Sequence, residues 1–227
     1  MNRLMLDFET LDVGECPVIL SIGAVVFNED EIIDCIGEKI NQQSCLDIGC
    51  TISQETIKWW EKQSVAAKLG AFGGTTDIGY ALELLVDLYK SHGCREIWSK
   101  GSMADIRWAN NILEKCGIDK PWKFSREMCF RTFLKYSPHV EFTPEGELHN
   151  ALDDAFNQAK HWIAINKIAT LNQNIAFHAV DLGSKDDWEA TVSFDELGKM
   201  KITPIERLGN GLPVIHIQPE IDDDMPF

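Results

Sequence analysis

Two carboxylates one residue apart, Asp7 and Glu9, sit in a short apolar run near the N-terminus, Leu4-Met5-Leu6-Asp7-Phe8-Glu9-Thr10. In a strand, alternate side chains share a face, so Asp7 and Glu9 point one way and Phe8 the other, into a core. Carboxylates held together repel each other unless a cation lies between them. An edge strand with a polar face would produce the same pattern without any chemistry. Asp105 lies in the first turn of a helical stretch that follows Trp98-Ser99. His149-Asn150-Ala151-Leu152-Asp153-Asp154 heads the last long helical pattern. Five helical residues rotate by about 140°, so His149 and Asp154 can serve one place only if His149 lies on the loop before the helix. Asp153 is the competing register. Acids near the positive end of a helix dipole are also common in their own right.

An α/β domain must position these residues. Residues 4–9, 18–27 and 31–40 read as three strands of a meander, with Gly14 and Pro17 in the first connection and Asn28-Glu29-Asp30 in the second. Gly37 within the third suggests a bulge. Helices follow: 56–63 behind an N-cap at Ser53, then 76–91 with Ile78, Ala81, Leu82, Leu85, Val86 and Tyr89 at three- and four-residue steps. A brief strand at 96–99 leads to a helix over 102–115, closed by Gly117. The second half of 122–136 is helical, and 150–171 forms a long amphipathic helix. A meander followed by alternating helices and a strand implies a mixed sheet flanked by helices. Past residue 172 the texture turns to short β-like runs between glycines. The expected division is 1–171 as the main domain, 172–219 as a small β-rich appendage and 220–227 as an acidic tail.

The 227 residues are 44% hydrophobic and 25% charged, which suits a folded domain with a core of its own. Thirty-six acids against 21 bases give a net charge of −15, which excludes a protein that coats nucleic acid or an anionic membrane by bulk charge. It leaves open an enzyme that holds cations in a carboxylate cluster. The seven cysteines are scattered and form no C-x-x-C pair, so free thiols and a cytoplasmic setting are expected rather than disulfides or zinc. No apolar run is long enough to span a membrane.

In order and spacing, these pieces resemble the DEDDh group of 3′–5′ exonucleases, built on a ribonuclease-H-like fold. They resemble in particular the branch that includes phage exonuclease A and a mycobacterial-type 3′–5′ exoribonuclease. Asp7-Phe8-Glu9-Thr10, Ser21-Ile22-Gly23-Ala24, Thr56-Ile57-Lys58-Trp59-Trp60, Gln63-Ser64, Arg131-Thr132 and His149-Asn150-Ala151-Leu152 carry the likeness over about residues 1–170. One departure is Ala104 before Asp105, where many relatives have Phe; the gap is expected to be filled by Met103 or Trp108. The resemblance implies two Mg²⁺ or Mn²⁺ ions held by Asp7, Glu9, Asp105 and Asp154. Asp7 would bridge both, Glu9 and Asp154 would hold the ion that binds the attacking water, and Asp105 would hold the second. His149 would take the water's proton, as suits a side chain that changes charge near neutral pH. Thr10, Trp59, Trp60 and Arg131 would contact substrate. Neighbouring helical residues point about 100° apart, which allows one tryptophan at the cleft and the other in the core; packing in the core alone is the alternative. Lys100, Arg107, Arg126, Arg131 and Lys135 cluster in sequence, either tracking phosphates or simply lying on exposed helix faces. The implied reaction releases nucleoside 5′-monophosphates from single-stranded 3′ ends. The branch contains dimers, and a homodimer is expected on that ground.

The last residues, Asp222-Asp223-Asp224-Met225-Pro226-Phe227, resemble the acidic tail of bacterial single-stranded-DNA-binding proteins. Phe227 would enter an apolar pocket, its carboxylate would pair with a cation, and the acids would meet a basic rim on a DNA-repair or replication partner. This tilts the expected substrate towards DNA, with an exoribonuclease as the alternative. A third reading is a catalytically weak adaptor working through its tail. The complete set of four acids and His149 weighs against it.

Overall fold

The computed structural model describes residues 1–181, 188–194, 200–207 and 215–216. In the N-terminal part, β1 (Arg3–Thr10), β2 (Ile19–Phe27) and β3 (Ile32–Lys39) form the expected meander. Then come α1 (Gln42–Asp47), α2 (Gln54–Glu61), α3 (Val65–Ala71), α4 (Ile78–Ser91), β4 (Glu96–Ser99), α5 (Asp105–Cys116), β5 (Glu127–Cys129), α6 (Phe130–Tyr136) and α7 (Ala151–Asp181). The sheet order is β3-β2-β1-β4-β5; β1 and β3 run antiparallel to β2, while β4 and β5 run parallel to β1. All nine residues of β2 are buried, as befits a strand covered on both faces.

Period two sorts the sheet into two cores. Leu4, Leu6 and Phe8 join Ile22, Ala24 and Val26 in one layer, packed with α4 and α5 residues such as Leu82, Leu85, Ile106 and Ile112. On the other face, Met5, Val25, Phe27 and Trp98 pack with Phe130 of α6 and with Ala155, Ala159 and Trp162 of α7. Asp7 and Glu9 share parity with Met5, so they lie on the face that α7 covers.

Gly37 makes no bulge. It pairs in register with Gly23, which pairs with Asp7, and the register shifts fall elsewhere, at Glu9/Thr10 and Val26/Phe27. The two glycines instead form a seat for α7. A Cβ on Gly23 would fall inside the backbone of Ala151, and one on Gly37 would meet Leu152 Cδ2 at 2.8 Å. The missing side chains let the head of α7 lie against the backbone of the sheet.

Ser53 caps α2 and Asp77 caps α4, each through its side-chain oxygen. Gly117 ends α5 in the left-handed conformation, φ 68°. Beside Ala104, Met103 is 77% exposed and fills nothing. Trp108 is buried, with its Nε1 donating to Gly14 O at 2.7 Å.

The chain divides into two compact units, Met1–Thr170 and Leu171–Phe227. Within the second, β6 (Trp188–Phe194), β7 (Met200–Arg207) and β8 (Ile215–His216) form a three-stranded sheet in the order β7-β6-β8. The acidic tail, 220–227, lies outside the described residues. Among those described, no helix is long and apolar enough to cross a membrane.

Candidate active site

The geometry of the site follows from how α7 lies along β1. Four residues of helix advance about 6 Å and two residues of strand about 6.6 Å, so successive turns of α7 keep step with every second residue of β1. Asp154 comes to Glu9, and one turn and one pleat further Gln158 Nε2 donates to Asp7 Oδ1 at 2.8 Å. A turn beyond, Trp162 packs in the same cluster as Met5 and lies under the guanidinium that Arg3 extends to it, at 4.3 Å.

Asp105 arrives from the other layer. β4 pairs with β1 only as far as Met5, which leaves the Phe8 N–H beyond its end without a ladder partner on that side. Asp105, the first residue of α5, accepts that N–H at 3.2 Å. Its carboxylate is thus tied to the backbone between Asp7 and Glu9.

His149 precedes α7 in the left-handed region, φ 62°, a conformation that costs a non-glycine residue roughly 1 kcal/mol. The turn is held by reciprocal hydrogen bonds. Asn150 Oδ1 accepts the Leu152 and Asp153 N–H groups at 3.1 and 3.3 Å, and the His149 N–H donates to Asp154 Oδ2 at 3.2 Å. One ligand atom each of Glu9, His149 and Asp154 lie within 4.8 Å of one another. Asp153 turns the other way and accepts the Glu147 N–H at 3.0 Å. The His149 ring stands edge-on to Trp59 and Trp60, with centroids 4.9 and 6.3 Å away.

A cleft of about 540 Å³ opens over the acids. Asp7, Glu9 and Asp105 line it together with Thr10, Trp59, Trp60, Lys100, Trp108 and Arg131. The two tryptophans divide as their helical spacing allows. Trp60 is 2% exposed and donates from Nε1 to Thr10 O at 2.8 Å, whereas Trp59 is 41% exposed. Of the basic cluster read from the sequence, Lys100 and Arg131 reach the cleft. Arg107 is taken by Glu15 at 3.0 Å, and Lys135 lies over its neighbour Tyr136.

Electrostatically, the acids are in conflict. Burial pushes Glu9 up to about 8, helped by the charges of Asp154 and Asp105. Asp7 keeps an edge open to the cleft, yet protein crowding, followed by the charges of Asp105 and Glu9, holds it well above the ordinary carboxylate range. Burial lifts Asp105 to about 6 against the pull of the Phe8 N–H. Asp154 is raised by burial and held back by His149. Four crowded oxygen-donor acids, with no thiol among them, suit hard divalent cations.

Gln158 escaped the sequence reading. The available signal was its place one helical turn beyond Asp154, on the same face.

A mixed sheet of this order, with acids on its central strand and on two flanking helices, defines a ribonuclease-H-like nuclease of the DEDDh type. Residues 2–166 match the Rv2179c-like 3′–5′ exoribonuclease domain, and the chain belongs to that family. It is accordingly a hydrolytic 3′–5′ nuclease. No curated protein matches the chain.

Proposed function

We propose that this chain is a divalent-cation-dependent 3′–5′ exoribonuclease that removes nucleoside 5′-monophosphates from single-stranded RNA ends. The observation that carries this is the convergence of acids from three separate elements: Asp7, Glu9 and Asp105 line one cleft, and His149 and Asp154 each bring a ligand atom to within 4.8 Å of one on Glu9. Asp7 feels the charge of all three other acids, so it is the residue able to serve two Mg²⁺ or Mn²⁺ ions, with Glu9 and Asp154 on one and Asp105 on the other. When bound, the ions would supply charge neutralisation at the scissile phosphate and at both the attacking and leaving oxygens.

The chain's own groups do the rest. An imidazole nitrogen of His149 accepts a proton as water oxygen bonds to phosphorus, and the P–O3′ bond breaks with its electrons leaving on the 3′ oxygen, which is then protonated. The left-handed turn and the tryptophan edges hold the ring beside Glu9 and Asp154. Trp59 offers an open aromatic face for the terminal base, and Lys100 and Arg131 bring positive charge to an otherwise anionic mouth.

The choice of RNA departs from the DNA expected on the sequence. That expectation leaned on the acidic tail, which lies outside the described residues, whereas the family's name specifies an exoribonuclease. The test is a set of otherwise identical single-stranded oligomers ending in ribonucleotides or deoxyribonucleotides, digested with Mn²⁺. Faster removal of the ribonucleotides supports the reading; faster removal of the deoxyribonucleotides returns the substrate to DNA.

A further inference from the structure

The carboxylate site contains one neutral side chain whose placement is as specific as that of the acids. Gln158 is 6% exposed and sits one turn of α7 beyond Asp154. Its amide donates to Asp7 Oδ1 at 2.8 Å, while its own Oε1 is buried with no hydrogen-bond partner among the described residues. Leaving a buried carbonyl unmatched is costly, and a residue chosen only for packing would avoid that cost. Methionine or leucine would fill the space without it.

The donor's chemistry is also selective. A lysine or arginine at this position would neutralise Asp7 and compete with a cation for its charge. An amide fixes one carboxylate oxygen and leaves the negative charge in place. With Oδ1 engaged by Gln158, the rotation of the Asp7 carboxyl is set, and Oδ2 is the oxygen left to turn towards Glu9, Asp105 and Asp154. Outer-layer donors of this kind orient metal-binding carboxylates.

We infer that Gln158 is a positioning residue that acts through Asp7, holding its carboxylate in the orientation that binds divalent cations. This rests on the reading of the four acids as a cation site. Gln158 touches neither the substrate nor the reacting atoms.

The test is a double-mutant cycle on the full chain, with Mn²⁺ affinity measured by the electron paramagnetic resonance signal of free Mn²⁺. Gln158→Met should weaken Mn²⁺ binding by about tenfold, and Gln158→Leu should do the same with a different shape. Asp7→Asn should weaken it more. Adding Gln158→Met to Asp7→Asn should then change the affinity by less than about twofold, because the partner through which Gln158 works is already altered. A purely structural role would give losses that multiply in the double variant even if each variant melts lower. Multiplying losses, or single variants that bind Mn²⁺ as the parent does, overturn the inference. A parent protein that fails to bind Mn²⁺ overturns instead the reading of the acids on which it rests.

Discussion

The crowding of the acids should make the cation-free protein less stable as pH rises, and Glu9→Gln should weaken that dependence. Glu9 is 8% exposed, and its carboxyl is held at about 8 in the native state against an ordinary 4.5. In the unfolded chain the proton leaves near 4.5; in the native protein it stays until about 8. Between these values the native state binds more protons, so stability falls with increasing pH across that window. At 1.36 kcal/mol per pH unit, this group alone removes about 3 kcal/mol between pH 4.5 and pH 7. Asp105, lifted to about 6, adds a loss of the same sign. Thermal melts in EDTA at pH 5.5, 7 and 8.5 should show the parent melting progressively lower, with Glu9→Gln the more stable protein at pH 8.5. Saturating Mn²⁺ should reverse the order, since a bound cation replaces the proton and adds about 2.7 kcal/mol at a hundred times its dissociation constant. A parent whose melting temperature rises from pH 5.5 to 8.5 in EDTA, or a Glu9→Gln variant that follows the parent's slope, would refute the electrostatic reasoning.

Asp154→Ala should reduce RNA hydrolysis by roughly two orders of magnitude, while Asp153→Ala, whose carboxylate serves the Glu147 N–H, stays within about threefold; rates on one oligomer at saturating Mn²⁺ decide, and the reverse order contradicts the register of α7. Trp59→Ala should raise KM about tenfold through lost stacking, whereas Trp60→Ala, truncating a side chain 2% exposed, should cost about 3–5 kcal/mol of stability in denaturant titration. Gly23→Ala should displace the head of α7 from the sheet and cost on the order of a hundredfold in kcat. A variant as active as the parent would show that the glycine seat is not what places Asp154.

Much of this architecture was legible from residue types alone. The meander announces itself through runs of Val and Ile, and D-x-E on a strand fixes both acids to one face whatever surrounds them. Rotation per residue required His149 to lie on the loop if it and Asp154 were to serve one place, and His149 does precede α7. Short elements did not show. α1 has six residues and α3 seven, too few for a helical period to repeat, and β5 has three, held by pairing with β4 rather than by its own composition. The function of Gly37 was misread because a glycine in a strand serves a bulge or a close approach equally well, and only the seat of α7 distinguishes them. Met103 was a reasonable filler by volume, yet the chain turns it outward before α5 begins. Gln158 was invisible for a different reason: an amide one turn past an acid looks like any polar helix residue until the strand opposite it is known. For Trp59 and Trp60 the sequence left open whether one or both pack in the core, because it does not say which of them faces Thr10.

The most direct measurement follows a 5′-labelled single-stranded RNA oligomer through digestion, with the released mononucleotides separated by chromatography. With Mn²⁺, the parent protein should generate a ladder that shortens stepwise from the 3′ end and should release nucleoside 5′-monophosphates. EDTA or Asp7→Asn should abolish both. Internal cuts, nucleoside 3′-monophosphates, or a ladder that persists in Asp7→Asn would contradict a cation-dependent 3′–5′ exonuclease built on these four acids.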